Sequence, residues 1–345
     1  MIYALLPDTP DGRPRRLPFY LAMEEYLARY FEGEYFFMWQ VDPTVIFGRN
    51  QQMEAEVNVE FCRRNGIGIY RRKSGGGCVY ADRNNIMFSH VTTCSSVAST
   101  FTGFTGTVAE MLRRLGIAEA HTTGRNDIMI GDRKVSGYAF YHINLVNMLA
   151  HQTESRAIVH GTMLYDADIA TMEQAITPSR VKLEAKGVSS VRKHVTTIRE
   201  HSAIGLEEFK EFTRRELCHS TLELNDADIE AIERMAEPYY AGEWIEGARR
   251  RPSASRRHRV EGVGEFVVDL RPSSDEVPRI EAIDLAGDFF LLGDIDRHLL
   301  SPLCGCELTR DALLRRLGTI RLEKVIPNLQ PEQFADMLLQ ASCPS

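Results

Sequence analysis

Three consecutive glycines, Gly75, Gly76 and Gly77, stand behind Arg71, Arg72, Lys73 and Ser74 and ahead of Cys78, Val79 and Tyr80. The flanking runs Ile67–Arg72 and Cys78–Tyr80 read as strands, so the glycines form their connection. A backbone without side chains there turns tightly and brings its amides close to an anion. Phosphate is the natural guest, and an arginine beside it can grip phosphate or carboxylate through two parallel hydrogen bonds. The spacing fits neither the P-loop nor the dinucleotide-binding fingerprint. Taken alone, a glycine-rich hairpin connection satisfies the same pattern.

Periodicity around this segment predicts mixed elements. A helix starts near Tyr20 behind Pro18, with Tyr20, Met23, Leu27, Tyr30 and Phe31 at helical spacing. Strands are expected at Glu34–Val41, Thr44–Gly48 and Ile86–Val91, separated at Asp42-Pro43 by a turn signal. Val57–Arg64 and Thr107–Leu115 read as helices, and Asp127–Ser136 as a hairpin turning at Gly131-Asp132. Further helices are expected at Asp166–Ile176, Leu206–Leu217 and Asp226–Tyr239. No regular βαβ alternation appears, which predicts an α+β domain on a mixed or antiparallel sheet flanked by helices.

Between Glu237 and Arg259, proline, glycine and serine mix with six arginines, Arg249, Arg250, Arg251, Arg256, Arg257 and Arg259, a composition that reads as a solvated linker. Beyond it, strands at Glu265–Leu270 and Ile280–Leu285 and helices at Thr309–Leu317 and Pro331–Leu339 predict a small α+β C-terminal domain. The division is therefore 1–245 and 250–345. The 345 residues carry a net charge of -7, which argues against a general nucleic-acid partner. Seven cysteines are too few and too irregular for a disulfide framework, and Cys304 and Cys306 lack partners for a zinc site. No apolar run reaches the length of a membrane span, and the N-terminal residues include Asp8, Asp11 and several prolines instead of a signal-peptide core. A soluble protein of the reducing cytoplasm is expected.

Two further clusters carry chemistry. Gly124-Arg125-Asn126-Asp127 precedes the hairpin whose far side holds Lys134-Val135-Ser136-Gly137. A lysine after a turn is usually a solvated edge charge. Held beside the glycine segment, however, its ammonium would stabilise the charge that builds up as a carboxylate displaces pyrophosphate, and Ser136 and Gly137 would allow close approach. Gly48-Arg49-Asn50-Gln51 ends a strand beside Trp39, itself a natural core residue. His160-Gly161-Thr162 precedes an apolar strand, and Lys182–Arg192 carries three cations around a glycine. A lone histidine in a strand is more often structural than catalytic.

The segments LAMEEYL, WQVDPTVIFGRNQ, RRKSGGGCVYAD, GRND, KVSG, HGTMLYD and KGVSSVR, in this order, resemble the lipoate–protein ligase family, and GDFFLLGDIDRHLLSPLCGCELTRDAL resembles its C-terminal accessory domain. The likeness covers about residues 15 to 340. It implies a catalytic domain related to biotin–protein ligases and class II aminoacyl-tRNA synthetases. It also implies ATP with Mg2+, lipoate as substrate, a lipoyl-AMP intermediate and transfer to a lysine of an acceptor. The implied acceptors are lipoyl domains of 2-oxo acid dehydrogenase acyltransferase subunits or the glycine cleavage H protein. Carried over by motif, Arg72, Gly75, Gly76, Gly77, Cys78, Val79 and Tyr80 contact the nucleotide and Lys134 is catalytic. Asn126 and Asp127 line the nucleotide or metal side, with Asp127 toward magnesium. Trp39, Arg49, Ser74, Ser136, Gly137, His160 and Gly161 fall on the substrate side, and Arg71 and Lys73 raise the local positive potential.

Three departures stand out. Cys78 replaces the usual alanine, Ala81 replaces a histidine before Asp82, and Tyr138–Val159 is longer than the corresponding hairpin, with an apolar piece at Ile143–Ala150. An octanoyl or lipoyl transferase of the same fold, without ATP activation, is the alternative. It needs a cysteine shortly before the lysine segment, and HTTGRNDIMIGDRK has none, leaving only Cys78 and Cys94. A non-catalytic paralogue would not need Arg72, the glycines, Asp127 and Lys134 together.

Overall fold

Runs rich in aromatic and β-branched residues build the strands of the first part of the chain. These are β1 (Ile2–Leu5), β2 (Tyr35–Trp39), β3 (Thr44–Phe47), β4 (Gly68–Arg71), β5 (Val79–Ala81), β6 (Asn85–Thr93), β7 (Ala120–Thr122), β8 (Asp127–Ile130), β9 (Arg133–Asn147), β10 (Gln152–Leu164) and β11 (Ser220–Glu223). The structure is a computed structural model that describes residues 1–9, 12–93, 97–123, 126–147, 152–176, 194–247 and 256–342. Eight strands form one sheet in the order β11-β1-β2-β6-β10-β9-β8-β7, and β4-β3-β5 form a second. β1 pairs in parallel with β2 and β11, whereas β2, β6, β10, β9, β8 and β7 are mutually antiparallel, so the sheet is mixed as expected.

Helices cover both faces of the large sheet. Leu17–Tyr30 begins with proline in its first turn and is buried almost all round from Leu17 to Ala28. It packs on β6, β9 and β10 and, on its other side, against the helix Asp226–Tyr240. The opposite face receives Val97–Arg114, which is ten residues longer at its start than the periodicity predicts. Gly103 and Gly106 disguise it: each costs about 1 kcal/mol in a helix interior, and neither has a neighbour that a Cβ would touch. Buried Phe104, Thr105 and Val108 hold the helix in place instead. Phe104 meets the rings of Phe36, His90 and Tyr138 on this face.

The chain divides into two compact units: Met1–Phe47, Met53–Arg72 and Cys78–Ile245 make the first, and Gly48–Gln52, Lys73–Gly77 and Glu246–Ser345 the second. The second unit carries β12 (Arg256–Val260), β13 (Gly264–Pro272) and β14 (Ile280–Phe289) as an antiparallel sheet, with helices Arg310–Leu317 and Pro331–Ser342. Its core gathers Phe266, Val268, Phe289, Leu299, Leu313, Leu317, Phe334 and Leu338. The two internal segments, one holding the glycine triplet, group with these C-terminal residues.

Three sequence expectations change. The described part of the supposed linker is ordered: Gly242–Glu246 is helical, and Arg256–Val260 is strand β12, on which Arg257 pairs with Glu265 at 2.9 Å. Trp244 sets the helix by donating its indole N–H to the Arg71 carbonyl at 2.9 Å. His160 lies inside β10 and does not precede it, because the apolar residues on both sides pair continuously with β6 and β9. The described parts of the long Tyr138–Val159 stretch pair as antiparallel strands β9 and β10, with Ile143 buried in the same core as Ile158, while residues 148–151, including the end of the apolar piece, lie outside the described residues. Gly124, Arg125, Cys94, Lys182–Arg192 and Arg249–Arg251 lie outside the described residues.

Candidate active site

A β-bulge decides where Lys134 points. Asp127 faces Gly137 and Ile128 faces Ser136, but Met129 faces Lys134, so Val135 is the extra residue on β9. One inserted residue reverses the alternation and brings Lys134 onto the face shared by Asp127 and Gly137. There its Nζ lies 2.7 Å from Asp127 Oδ1, each side chain about one-fifth exposed. A Cβ on Gly137 would come within 2.3 Å of that nitrogen, so glycine is needed for the ammonium to rest on the strand. Ser136, fully buried, falls on the opposite face with Tyr138. Asn126 is engaged locally: its side-chain amide donates to the Tyr138 carbonyl at 3.2 Å, and its own carbonyl accepts from Tyr138 N–H at 2.8 Å.

Register then gives the site a length. Gly137 is opposite Thr162, Thr162 opposite Met87, and Met87 opposite Trp39, so one row crosses β9, β10, β6 and β2. Three inter-strand steps of about 4.8 Å separate Gly137 from Trp39 by roughly 14 Å. The adjacent row is Ala139, His160, Ser89 and Phe37. Small residues thus lie near Lys134, and a polar group with an indole lies at the far end.

Of that far group, Trp39 and His160 were named from the sequence, whereas Glu24 and Ser89 were not. Glu24, wholly buried on the first helix, accepts from Ser89 Oγ at 2.5 Å and meets His160 Nδ1 at 2.8 Å. Trp39 Nε1 donates to Ser89 Oγ at 2.9 Å, and its ring stacks on Tyr20 with centroids 4.7 Å apart. A carboxyl group buried away from water is costly unless it is hydrogen-bonded, as this one is. Glutamates on a face otherwise made of Tyr20, Met23 and Leu27 were the available signal. Next door, Tyr239 donates to Glu25 Oε1 at 2.5 Å, and burial drives the Tyr239 and Tyr141 hydroxyls well above their ordinary pKa.

Gly161 points the other way. A Cβ there would lie 2.4 Å from the Tyr138 ring and 2.5 Å from the Gly137 carbonyl oxygen, so the glycine serves packing of Tyr138 against the sheet. Gly161→Ala is expected to cost about 1–3 kcal/mol through overpacking, read as a lowered urea midpoint with an unchanged slope.

The arginine pair separates in role. Arg72 is buried, donating Nη1 to the Ile46 carbonyl at 3.1 Å and its backbone N–H to Phe47 O at 3.0 Å. Arg71, read from the sequence as raising the local positive potential, also has a structural place that the sequence did not show. It is a buried strut: it lies 4.5 Å over the Phe47 ring and donates Nε to the Trp244 and Ile245 carbonyls, and burial pulls its pKa down to about 10. Val79 and Tyr80 pair with Ile46 and Val45 on β3, and the Tyr80 side chain is core, leaving backbone as the part available to a ligand. Cys78 is half-buried and outside any disulfide.

In the second unit, exposed Arg49 donates its backbone N–H to the carbonyl of fully buried Ser74 at 2.9 Å, tying the two internal segments together. Gly76 has positive φ, 85°, and its N–H donates to the Phe289 carbonyl at 3.2 Å. No helix among the described residues is long and apolar enough to cross a membrane.

Residues 17–218 match the lipoyl protein ligase A/B catalytic domain, and residues 253–338 match the bacterial lipoate protein ligase C-terminus. The chain is 30% identical to lipoate-protein ligase LplJ of Bacillus subtilis over 332 residues, covering 92% of this chain and 95% of that one. Among solved structures, P. falciparum LipL1 in complex with lipoate superposes with a TM-score of 0.70 at 16% identity, covering 98% of each chain. Lipoate-protein ligase A bound with ATP gives 0.58 at 22% identity, covering 71% of this chain and 98% of the other. At these identities the two structures establish a common fold. Through its sequence, the chain belongs to the lipoate–protein ligase family and is a ligase.

Proposed function

We propose that this ligase joins lipoate to ATP, releasing pyrophosphate, and then passes the lipoyl group from lipoyl-AMP to a lysine of a lipoyl domain. Residues 1–245 would form the catalytic domain and 250–345 the accessory domain. The observation that carries the reading is Lys134, held by Asp127 over Gly137 at one end of a row that ends at Trp39. A medium-length acyl chain laid along that row places its carboxylate at the ammonium and its ring beside Trp39 and the Glu24–His160 pair.

Each step follows from charge. A lipoate carboxylate oxygen attacks the α-phosphorus of ATP, the bond to the bridging oxygen breaks, and that oxygen leaves with pyrophosphate. Lys134 keeps its proton and neutralises both the approaching carboxylate and the pentacoordinate phosphorus, an electrostatic contribution usually worth several kcal/mol. Next, a neutral acceptor amine attacks the carbonyl carbon of the mixed anhydride. The C–O bond to AMP breaks, an amide forms, and the amine proton leaves to solvent or to AMP. Magnesium takes only oxygen donors and commonly one or two carboxylates plus phosphates. Asp127 offers such a donor, and the ion would neutralise phosphate charge when bound. Arg72 and the backbone from Gly75 to Tyr80 are assigned to the nucleotide, and Arg49 and Ser74 to the substrate side. The partners are lipoyl domains of 2-oxo acid dehydrogenase acyltransferase subunits or the glycine cleavage H protein.

Incubation with ATP, lipoate and an unmodified lipoyl domain should add one lipoyl mass to one lysine and release AMP. Modification that proceeds from an acyl donor without ATP would overturn the reading in favour of a transferase.

A further inference from the structure

Four glycines gather in the second unit where the end of β14 sits on the glycine segment. A Cβ on Gly75 would lie 2.2 Å from the Phe289 carbonyl oxygen, and one on Gly77 would lie 3.0 Å from Asp288 Oδ2. Across the small sheet, a Cβ on Gly264 would lie 2.3 Å from the Asp288 carbonyl oxygen and one on Gly287 2.1 Å from that of Glu265. Gly287 N–H donates to the Asn50 carbonyl at 2.7 Å, giving the same strand end a second anchor. A Cβ at Gly75, Gly264 or Gly287 would collide with backbone, and one at Gly77 would crowd the Asp288 carboxylate, so the sequence is built for this contact. Its chemistry is that of a small anion site: the Gly76 amide already donates to Phe289, and a carboxylate lies against Gly77.

We propose that Asp288 is an affinity-setting residue that competes with nucleotide phosphate for the glycine segment. In this conformation the Phe289 carbonyl takes the Gly76 amide and the Asp288 carboxylate lies against Gly77, in the space that phosphate oxygens would take. A phosphate arriving there meets a negative charge and a spent N–H. Binding therefore requires the end of β14 to leave the segment, and the measured affinity is lowered by the fraction of molecules in which it has not left. This deepens the ATP reading of the segment and rests on it.

Two measurements test it on the full chain, with Asp288→Asn and Asp288→Ala beside the wild type. Without nucleotide, hydrogen exchange at residues 73–77 should speed up in both variants, because the contact is loosened. ATP binding, followed by calorimetry, should tighten roughly three- to tenfold. Unchanged exchange in both variants overturns the proposal whatever ATP does. Faster exchange with unchanged or weaker ATP binding also overturns it, since the contact then does not compete. A wild type and variants that all fail to bind ATP would overturn the nucleotide reading itself, and the exchange data would show that the contact exists independently.

Discussion

Lys134→Ala should lower the rate of adenylate formation by about a thousandfold or more, the scale of losing a preorganised charge at a reacting centre. Stability should change by no more than about 1 kcal/mol, because the pair with Asp127 is partly exposed and such pairs contribute little. Lys134→Arg should not rescue the rate. The ammonium rests in a space that a single Cβ on Gly137 would fill, and a planar guanidinium is wider and differently forked. For the same reason Gly137→Ala should cost nearly as much as losing the lysine. Single-turnover release of pyrophosphate checks all three, with urea unfolding as the control. A Lys134→Ala protein that keeps its rate but loses several kcal/mol of stability would make the residue structural.

The second large effect is on stability. Glu24→Leu should cost about 3–5 kcal/mol, because it leaves His160 and Ser89 facing an apolar side chain in a buried site. The double variant Glu24→Leu, His160→Leu should recover part of that loss, since removing both partners leaves fewer unmatched polar groups. Urea midpoints of the two single variants and the double variant test this as a cycle. Additive losses would mean that the two groups do not depend on each other.

Legibility of the fold followed the strength of local patterns. Leu206–Leu217 and the turn at Gly131-Asp132 were read from sequence because periodicity and turn chemistry agree with the final packing. β11, Ser220–Glu223, was missed: its residues are mostly exposed and too polar to announce a strand, and it exists by pairing in parallel with β1. Lys134 was found through a motif, but its direction depends on a bulge at Val135 that no pattern marks. Glu24 was hidden because a glutamate in a helix reads as surface until its partners on β6 and β10 are in place. Arg71 was read for its charge alone, since its hydrogen bonds with Trp244 depend on a helix far along the chain.

The central claim, that the Lys134 site makes an acyl-adenylate from ATP, is met most directly by isotope exchange between pyrophosphate and ATP in the absence of any acceptor protein. Exchange that requires lipoate and disappears in Lys134→Ala is the predicted result. Exchange without lipoate, or none in a protein that still modifies its acceptor, would contradict it.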